Sequence, residues 1–562
     1  MSRVDLNTAV ELPETPDLEG AFPRLADAQL ATLQARGEER PVRPGEVLFV
    51  EGEPVAFFYV VLDSKVALVE GYGTPEERIV RVNGRRRFLG ELSTLTGGPQ
   101  PFTAVVVQTG QVLAVPVEVL RELVLQDPVL GDEILRACLI RRSLALGLGA
   151  GFRIIGSRYS SDTRRLRDFA MRNRLPHRFV DIESDPSVED LLLRLGVRTE
   201  DTPVVVWRDR VLRNPSNAEV AAFAGLSPSP GVRSTCELLV IGAGPAGLAA
   251  SVYGASEGLS TVALESVAVG GQAAMSSRIE NYLGFPAGIS GGELAERAAI
   301  QAAKFGTRTT VPATAERLVA DGGNYRVRLA DGHTITTETV VLATGARYRK
   351  LPVPRVEEFE KSSIFYAATL MEAMVCAADP VVVVGGGNSA GQATVFLADH
   401  VNSLRLVVRE QRLDENMSRY LADRIERDDR VEVLLHTEVR ELLGDSSLEA
   451  VVVEDTRTGE RRTLDARELF VFIGADPCTD WLADTVALAS GGYVLTGADT
   501  AHARGDGFEA LGRAPLFLET SAPGVFAAGD VRSGSIKRVA SAVGEGAMAV
   551  RLVHEHLTSR KG

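Results

Sequence analysis

Residues 238–247 read LLVIGAGPAG, and residues 381–390 read VVVVGGGNSA. Each stretch is a run of apolar residues that fits a strand buried on both faces, followed at once by a glycine-rich turn. Gly242, Gly244 and Gly247 mark the first turn; Gly385, Gly387 and Ala390 hold the same places in the second. After a strand and before a helix, this pattern points to dinucleotide binding. The first glycine makes the turn, the second admits a pyrophosphate, and the third position lets helix and strand pack closely. The phosphate charge then meets a helix N-terminus. Two such units in one chain predict two dinucleotides. Glu265 ends the run Thr261-Val262-Ala263-Leu264 beyond the first turn, where a carboxylate can accept hydrogen bonds from a ribose.

At 562 residues the chain exceeds what one hydrophobic core supports, so several domains are expected. A content of 45% hydrophobic and 24% charged residues is that of an ordinary globular protein, and the net charge of −14 argues against nucleic acid as a partner. No apolar run is long enough to span a bilayer, and the acidic N-terminus lacks the apolar centre of a signal peptide. Cys138, Cys236, Cys376 and Cys478 are scattered, with no CxxC and no metal-ligand spacing, so a cytoplasmic protein without a metal is expected.

Outward from the two turns the pattern changes twice. Residues 1–20 read as a flexible tail and 25–36 as a short helix. Short apolar stretches alternate with turns from Val42 to Val117, which predicts a small β-roll, and 117–148 turns helical. From 152 to 226 strands and helices alternate: strands at 153–156, 178–181 and 203–207, helices at 163–174, 187–195 and 217–224. Residues 227–234 begin SPSPG and read as a linker.

Residues 235–562 resemble low-molecular-weight thioredoxin reductase. The blocks IGAGPAGLAA (241–250), GGQ (270–272), IENYLGFP (279–286), LATGA (342–346), VVVVGGGNSA (381–390), FVFIGADP (470–477) and TSAPGVFAAGDV (520–531) carry the resemblance. It implies an FAD-binding domain over 235–355 and 477–562, a nicotinamide-dinucleotide domain inserted at 356–476, and a homodimer. It further implies that Gly242, Gly244, Gly247, Glu265, Gly271, Gln272, Asn281, Gly529, Asp530 and Val539 serve FAD. Gly385, Gly387, Asn388, Ser389 and Arg409 would serve NADPH or NADH. The family clasps the 2′-phosphate of NADP with two adjacent arginines; this chain has Arg409 followed by Glu410, and Arg412 beyond. The family alone favours NADPH, while Glu410 leaves NADH open.

The redox centre departs from the family. Its CATC-type disulfide falls here on Ala368-Thr369-Leu370-Met371, followed by Glu372, so no dithiol exchange is possible there. No catalytic residue is therefore assigned, and Cys376 reads as a buried packing residue. The segment 496–513 is longer than the family norm.

Residues 21–149 resemble a cyclic-nucleotide-binding domain on the block Phe88-Leu89-Gly90-Glu91-Leu92 and the run Thr103–Val107. The resemblance implies that Glu91, with Gly90 and Leu92, meets a ribose. The family's phosphate-binding arginine falls on Pro101 or Phe102, and Arg85, Arg86 and Arg87 stand nearby as other candidates, Arg87 above all. Residues 152–226 resemble a thioredoxin- or glutaredoxin-like domain through HRFVDIE and a Thr202-Pro203 pair, with Ser160-Ser161-Asp162-Thr163 where that family has CxxC. The basic run Arg164, Arg165, Arg167, Arg172, Arg174 suits an anion or an acidic docking surface.

The expectation is a multidomain protein: an N-terminal β-roll with helices, a central α/β thioredoxin-like fold, and a C-terminal pair of α/β Rossmann-like dinucleotide-binding domains. Its expected activity is that of an FAD oxidoreductase fed by NAD(P)H, lacking the redox disulfide, with an unidentified electron acceptor. Control by a nucleotide second messenger, a cyclic mono- or dinucleotide, is expected at the N-terminal domain. The alternative is a ligand-controlled signalling or assembly protein in which FAD is structural.

Overall fold

The computed structural model describes residues 12–74, 77–91, 98–183, 192, 196–198, 201–208, 210–226, 235–276, 278–360, 363–366, 368, 373, 376, 379–401, 403–445, 447–482, 484–500 and 507–561. Residues 1–11 of the expected tail, most of the expected helix at 187–195, the linker 227–234, Leu92, and Thr369 to Glu372 lie outside them.

The two runs that open the sequence are parallel strands at the centres of two sheets. Thr235–Ile241 lies between Thr261–Leu264 and Thr334–Leu342, all parallel, with Val525–Ala527 parallel on the far side of Thr334–Leu342. Leu238, Leu239 and Val240 are fully buried, as a strand covered on both faces must be. Pro380–Val384 lies between Ser403–Val407 and Glu468–Val471 in a five-stranded parallel sheet, and Val381 to Val383 are likewise fully buried. Each unit carries an antiparallel three-stranded element: Ala315–Asp321, Asn324–Leu329 and Thr334–Leu342 in one, and Thr437–Leu443, Ala450–Asp455 and Arg461–Asp465 in the other. The chain leaves the first unit along Ala346–Tyr348 and returns along Ala475–Pro477, and these two crossings pair antiparallel.

The N-terminal part is built from two four-stranded antiparallel sheets packed on each other. Two helices follow, Val117–Gln126 and Pro128–Leu148. Asp127 starts the second by accepting from the N–H groups of Val129 and Leu130, both at 3.0 Å, with Pro128 in the first turn. Residues 12–20 differ from the expected free tail. Thr15 exchanges hydrogen bonds with Val82 at 3.0 Å in both directions, so this stretch covers the edge strand Arg78–Asn83.

Residues 152–226 form a sheet ordered His177–Asp181, Phe152–Gly156, Val204–Trp207, Arg210–Arg213. The first pair is parallel and the other pairs are antiparallel. Helix Ser161–Arg172 is capped by Ser160 through the Thr163 N–H, and Asn217–Phe223 by a Ser216/Glu219 capping box. The Thr202–Pro203 peptide is cis.

Candidate functional site

The glycines of each turn divide into two kinds. Gly242 has φ +104°, and a Cβ there would stand 2.2 Å from the Ala343 carbonyl oxygen. A Cβ on Gly247 would stand 1.8 Å from the Gly242 carbonyl oxygen. Gly385 has φ +140° and would meet the Phe472 carbonyl oxygen at 2.3 Å. The protein itself requires these three glycines. Gly244 and Gly387 differ. Their backbones are extended, φ −73° and ψ −174° for the first, φ −97° and ψ 179° for the second. Apart from their chain neighbours, none of the described residues lies within 4 Å of where their Cβ atoms would stand. The fold needs no glycine at either place, but a phosphate approaching the backbone does.

Remote segments converge on the first turn. A Cβ on Gly271 would stand 3.2 Å from the Gly244 Cα, and one on Gly529 2.9 Å from the Ala246 Cβ. Helix Val539–Lys561 packs beside helix Pro245–Ser256 through Gly546, whose Cβ would meet the Ala246 carbonyl oxygen at 2.1 Å. Val539 is the first residue of that C-terminal helix. Glu265 is buried; one carboxylate oxygen accepts from the Ala243 N–H at 2.8 Å and the other from Val267 at 3.0 Å. Ser266 Oγ also donates to that second oxygen at 3.5 Å, so the oxygen facing Ala243 is the one that keeps a lone pair for a ribose hydroxyl. No hydrogen-bond donor among the described residues reaches the Asp530 carboxylate, and burial pushes that carboxyl up. Gln272 is tied to the Ala346 carbonyl at the start of the outgoing crossing. Asn281 lies exposed on the loop between the bridged residues Ile279 and Ile289.

At the second turn Asn388 accepts from the Ser418 N–H at 2.6 Å, and Ser389 is exposed in the first turn of helix Asn388–Ala398. Arg409 extends into solvent, its Nε 3.0 Å from Glu410. Ala368, at the start of the segment that aligns with the family's redox disulfide, is buried in the same apolar cluster as Cys376. No disulfide and no group able to hold a metal ion occur among the described residues.

In the N-terminal domain Glu91 is buried in an ion pair with Arg141 of the long helix, at 2.7 Å. Arg141 also donates to the carbonyls of Ala21 at 2.6 Å and Phe88 at 3.1 Å. Arg87 donates to the Thr15 carbonyl, and Gly90 has φ +93°. Glu91 Oε2, Arg141 Nη2 and Arg87 Nε are buried with no hydrogen-bond partner among the described residues. Sequence reading found Glu91 but not Arg141, because nothing local marks one arginine of the helix as its partner.

The three parts of the chain meet on a few polar contacts. Glu296, buried in helix Gly291–Lys304 beside the first turn, pairs with Arg142 of the N-terminal domain and with Arg174 of the middle domain, the latter at 2.9 Å. Trp207 Nε1 of the middle domain donates to the buried Glu51 of the N-terminal domain at 3.1 Å. Arg172 Nη2 lies 2.9 Å from the Met275 sulfur. A cavity of about 1250 Å³ opens between the three, lined among others by Phe152, Arg172, Trp207 and Glu296. The basic run thus docks in part on an acidic residue.

Residues 236–546 match the family model of the pyridine nucleotide-disulphide oxidoreductases, and residues 39–127 match that of the cyclic nucleotide-binding domain. A thioredoxin reductase of Eremothecium gossypii is 33% identical over 323 residues, covering 56% of this chain and 95% of that protein. A 34.2 kDa protein in the rubredoxin operon of Clostridium pasteurianum is 31% identical over 321 residues, covering 57% of this chain and 97% of that protein. Among solved structures, the Lactococcus lactis thioredoxin reductase in its FR conformation aligns with a TM-score of 0.52 at 26% identity, over 57% of this chain and 99% of that one. The thioredoxin reductase of T. acidophilum aligns with a TM-score of 0.52 at 27% identity, over 58% of this chain and 100% of that one.

Proposed function

Because the chain belongs to the pyridine nucleotide-disulphide oxidoreductase family, whose thioredoxin reductase-like members use FAD and NADPH, we propose that it is an FAD-dependent oxidoreductase without a dithiol relay. It takes hydride from a nicotinamide dinucleotide and passes the electrons directly to an acceptor such as oxygen, a quinone, a flavoprotein or an iron–sulfur protein. The observation that carries this reading is the pair of open glycines, Gly244 and Gly387, one in each turn.

The dinucleotides supply the chemistry: hydride from the nicotinamide, and a two-electron acceptor in the flavin. The chain's residues bind and orient. The N–H groups following Gly242 and Gly385 receive pyrophosphates at the N-termini of helices Pro245–Ser256 and Asn388–Ala398. Glu265 holds a ribose and Asp530 accepts from the ribityl side of FAD. Ala368 and Met371 stand where a thioredoxin reductase has its cysteines, and neither can form a mixed disulfide.

The N-terminal cyclic nucleotide-binding domain is read as the control element. The unpaired atoms of Glu91, Arg141 and Arg87 supply acceptor and donors to a nucleotide. Arg142, next to Arg141, reaches Glu296 beside the flavin turn and gives a direct route between the two parts. The reading includes a cytoplasmic homodimer.

Anaerobic addition of NADH or NADPH to the FAD-loaded protein tests it. Loss of the flavin absorbance at roughly 450 nm is the expected result. An unbleached flavin, with or without cyclic nucleotides, overturns the proposal in favour of a ligand-controlled assembly protein with structural FAD.

A further inference from the structure

We propose that Glu410 makes the second turn a site for a dinucleotide with a free 2′-hydroxyl, so that this chain takes NADH in preference to NADPH. The inference rests on the reading of that turn as a nicotinamide-dinucleotide site, and it sets the chain apart from the NADPH use of its family.

Glu265 directly follows the second strand of its unit, Thr261–Leu264, whereas Val408 holds that place after Ser403–Val407 and Glu410 stands two residues further on. Both carboxylates reach back to the second residue of their own glycine turn. Glu265 accepts from the Ala243 N–H at 2.8 Å. Glu410 Oε2 lies 2.5 Å from where a Cβ on Gly386 would stand, so Gly386 leaves room for the carboxylate. Each unit therefore brings an acid from the end of its second strand to its glycine turn, and in the first unit that acid is read as the ribose ligand.

The two oxygens of Glu410 are not alike. Oε1 accepts from Arg409 Nε at 3.0 Å and from Asn416 Nδ2 at 3.3 Å. Oε2 is buried and has no hydrogen-bond partner among the described residues. A buried carboxylate oxygen left unpaired is costly, and a ribose hydroxyl offers the missing donor. A 2′-phosphate has no proton to donate at neutral pH and sets like charge against like.

The arginines that would favour a phosphate are already committed. Arg409 pairs with Glu410 itself, and Arg412 makes a two-pronged pair with Asp414 at 2.7 and 2.9 Å. Asn416 also steadies the Glu410 carboxylate. A 2′-phosphate drawing Arg409 away would strip Glu410 of its cation at the moment a second anion arrived.

The test is calorimetric titration of the FAD-loaded full-length protein with NAD⁺ and NADP⁺, which reads binding without turnover. The wild type is expected to bind NAD⁺ at least about tenfold more tightly, the worth of one hydrogen bond to a charged group. Glu410→Gln is expected to weaken NAD⁺ and strengthen NADP⁺, and Glu410→Arg to reverse the order. Retained flavin absorbance shows that each variant is folded. NADP⁺ binding as tightly as NAD⁺ in the wild type, or an unchanged ratio in Glu410→Gln, overturns the inference while leaving the oxidoreductase reading intact. Binding of neither dinucleotide overturns both.

Discussion

Replacing Gly244 by alanine separates what the first turn does for the fold from what it does for a ligand. The position is extended, at φ −73° and ψ −174°, so alanine adopts it without strain. Beyond its chain neighbours, no atom of the described residues lies within 4 Å of the new methyl group, so none of them has to move. Two smaller effects oppose each other. Removing a glycine from the unfolded chain favours the fold by roughly 0.4–1 kcal/mol. Alanine is a poorer N-cap than glycine for helix Pro245–Ser256, by a comparable amount. Without FAD the variant should lie within about 1 kcal/mol of the wild type. With FAD the methyl group stands where a pyrophosphate oxygen must approach. Losing one charge-assisted hydrogen bond costs roughly 1.5–3 kcal/mol, about a tenfold to hundredfold loss of affinity.

The assay has two arms: thermal unfolding of the deflavinated protein, and FAD affinity from the quenching of flavin fluorescence on binding. Gly247→Ala is the contrast. Its Cβ would stand 1.8 Å from the Gly242 carbonyl oxygen, so backbone must shift and the deflavinated protein itself should lose stability. Wild-type FAD affinity in Gly244→Ala would refute the reasoning. So would a loss of stability in deflavinated Gly244→Ala as large as that in Gly247→Ala.

Two further outcomes concern buried charge. Burial pushes the Glu519 carboxyl up, but hydrogen bonds from Arg513, His556 and the N–H groups of Leu516 and Gly524 outweigh it and hold it at about 2. A carboxyl depressed in the folded state stabilises above its ordinary value of 4.5 and loses that contribution as pH falls towards 2. The FAD-binding unit of wild type should therefore exceed Glu519→Gln by on the order of 3 kcal/mol at pH 7, with the gap closing below about pH 4; melting curves across that range check it, and a pH-independent gap refutes it. In the N-terminal domain, Arg141→Met leaves Glu91 as a buried unpaired carboxylate and should cost about 3–5 kcal/mol, while Arg141→Met with Glu91→Gln should cost clearly less. Denaturant unfolding of the four proteins in that cycle measures the coupling, and additive losses refute the pairing.

What the sequence showed and what it hid follow from the range of the contacts involved. The strands before both turns were readable because four or more consecutive apolar residues followed by glycine have few other meanings in so short a span. The helical stretch at 117–148 was legible from its apolar spacing, but its division at Asp127 and Pro128 into two helices was not read. The strand Arg210–Arg213 escaped notice, because an edge strand with an arginine at each end lacks the apolar pattern. The extended segment 496–513 had no meaning until Arg513 at its end appeared as the cation on the fully buried Glu519.

Arginine contacts are the general case of what stayed hidden. The chain has 61 lysines and arginines, and nothing local tells Arg141, which turns inward to Glu91, from its neighbour Arg142, which crosses to Glu296. These adjacent residues tie the cyclic nucleotide-binding domain's interior to the helix beside the first glycine turn. A ligand that engages the unpartnered Glu91 Oε2 would meet a carboxylate that Arg141 already holds through its other oxygen. One residue further along the long helix, Arg142 pairs with Glu296, where the middle domain's Arg174 is also anchored. One helix and one buried acid thus join the interior of the N-terminal domain to the unit that carries the first glycine turn.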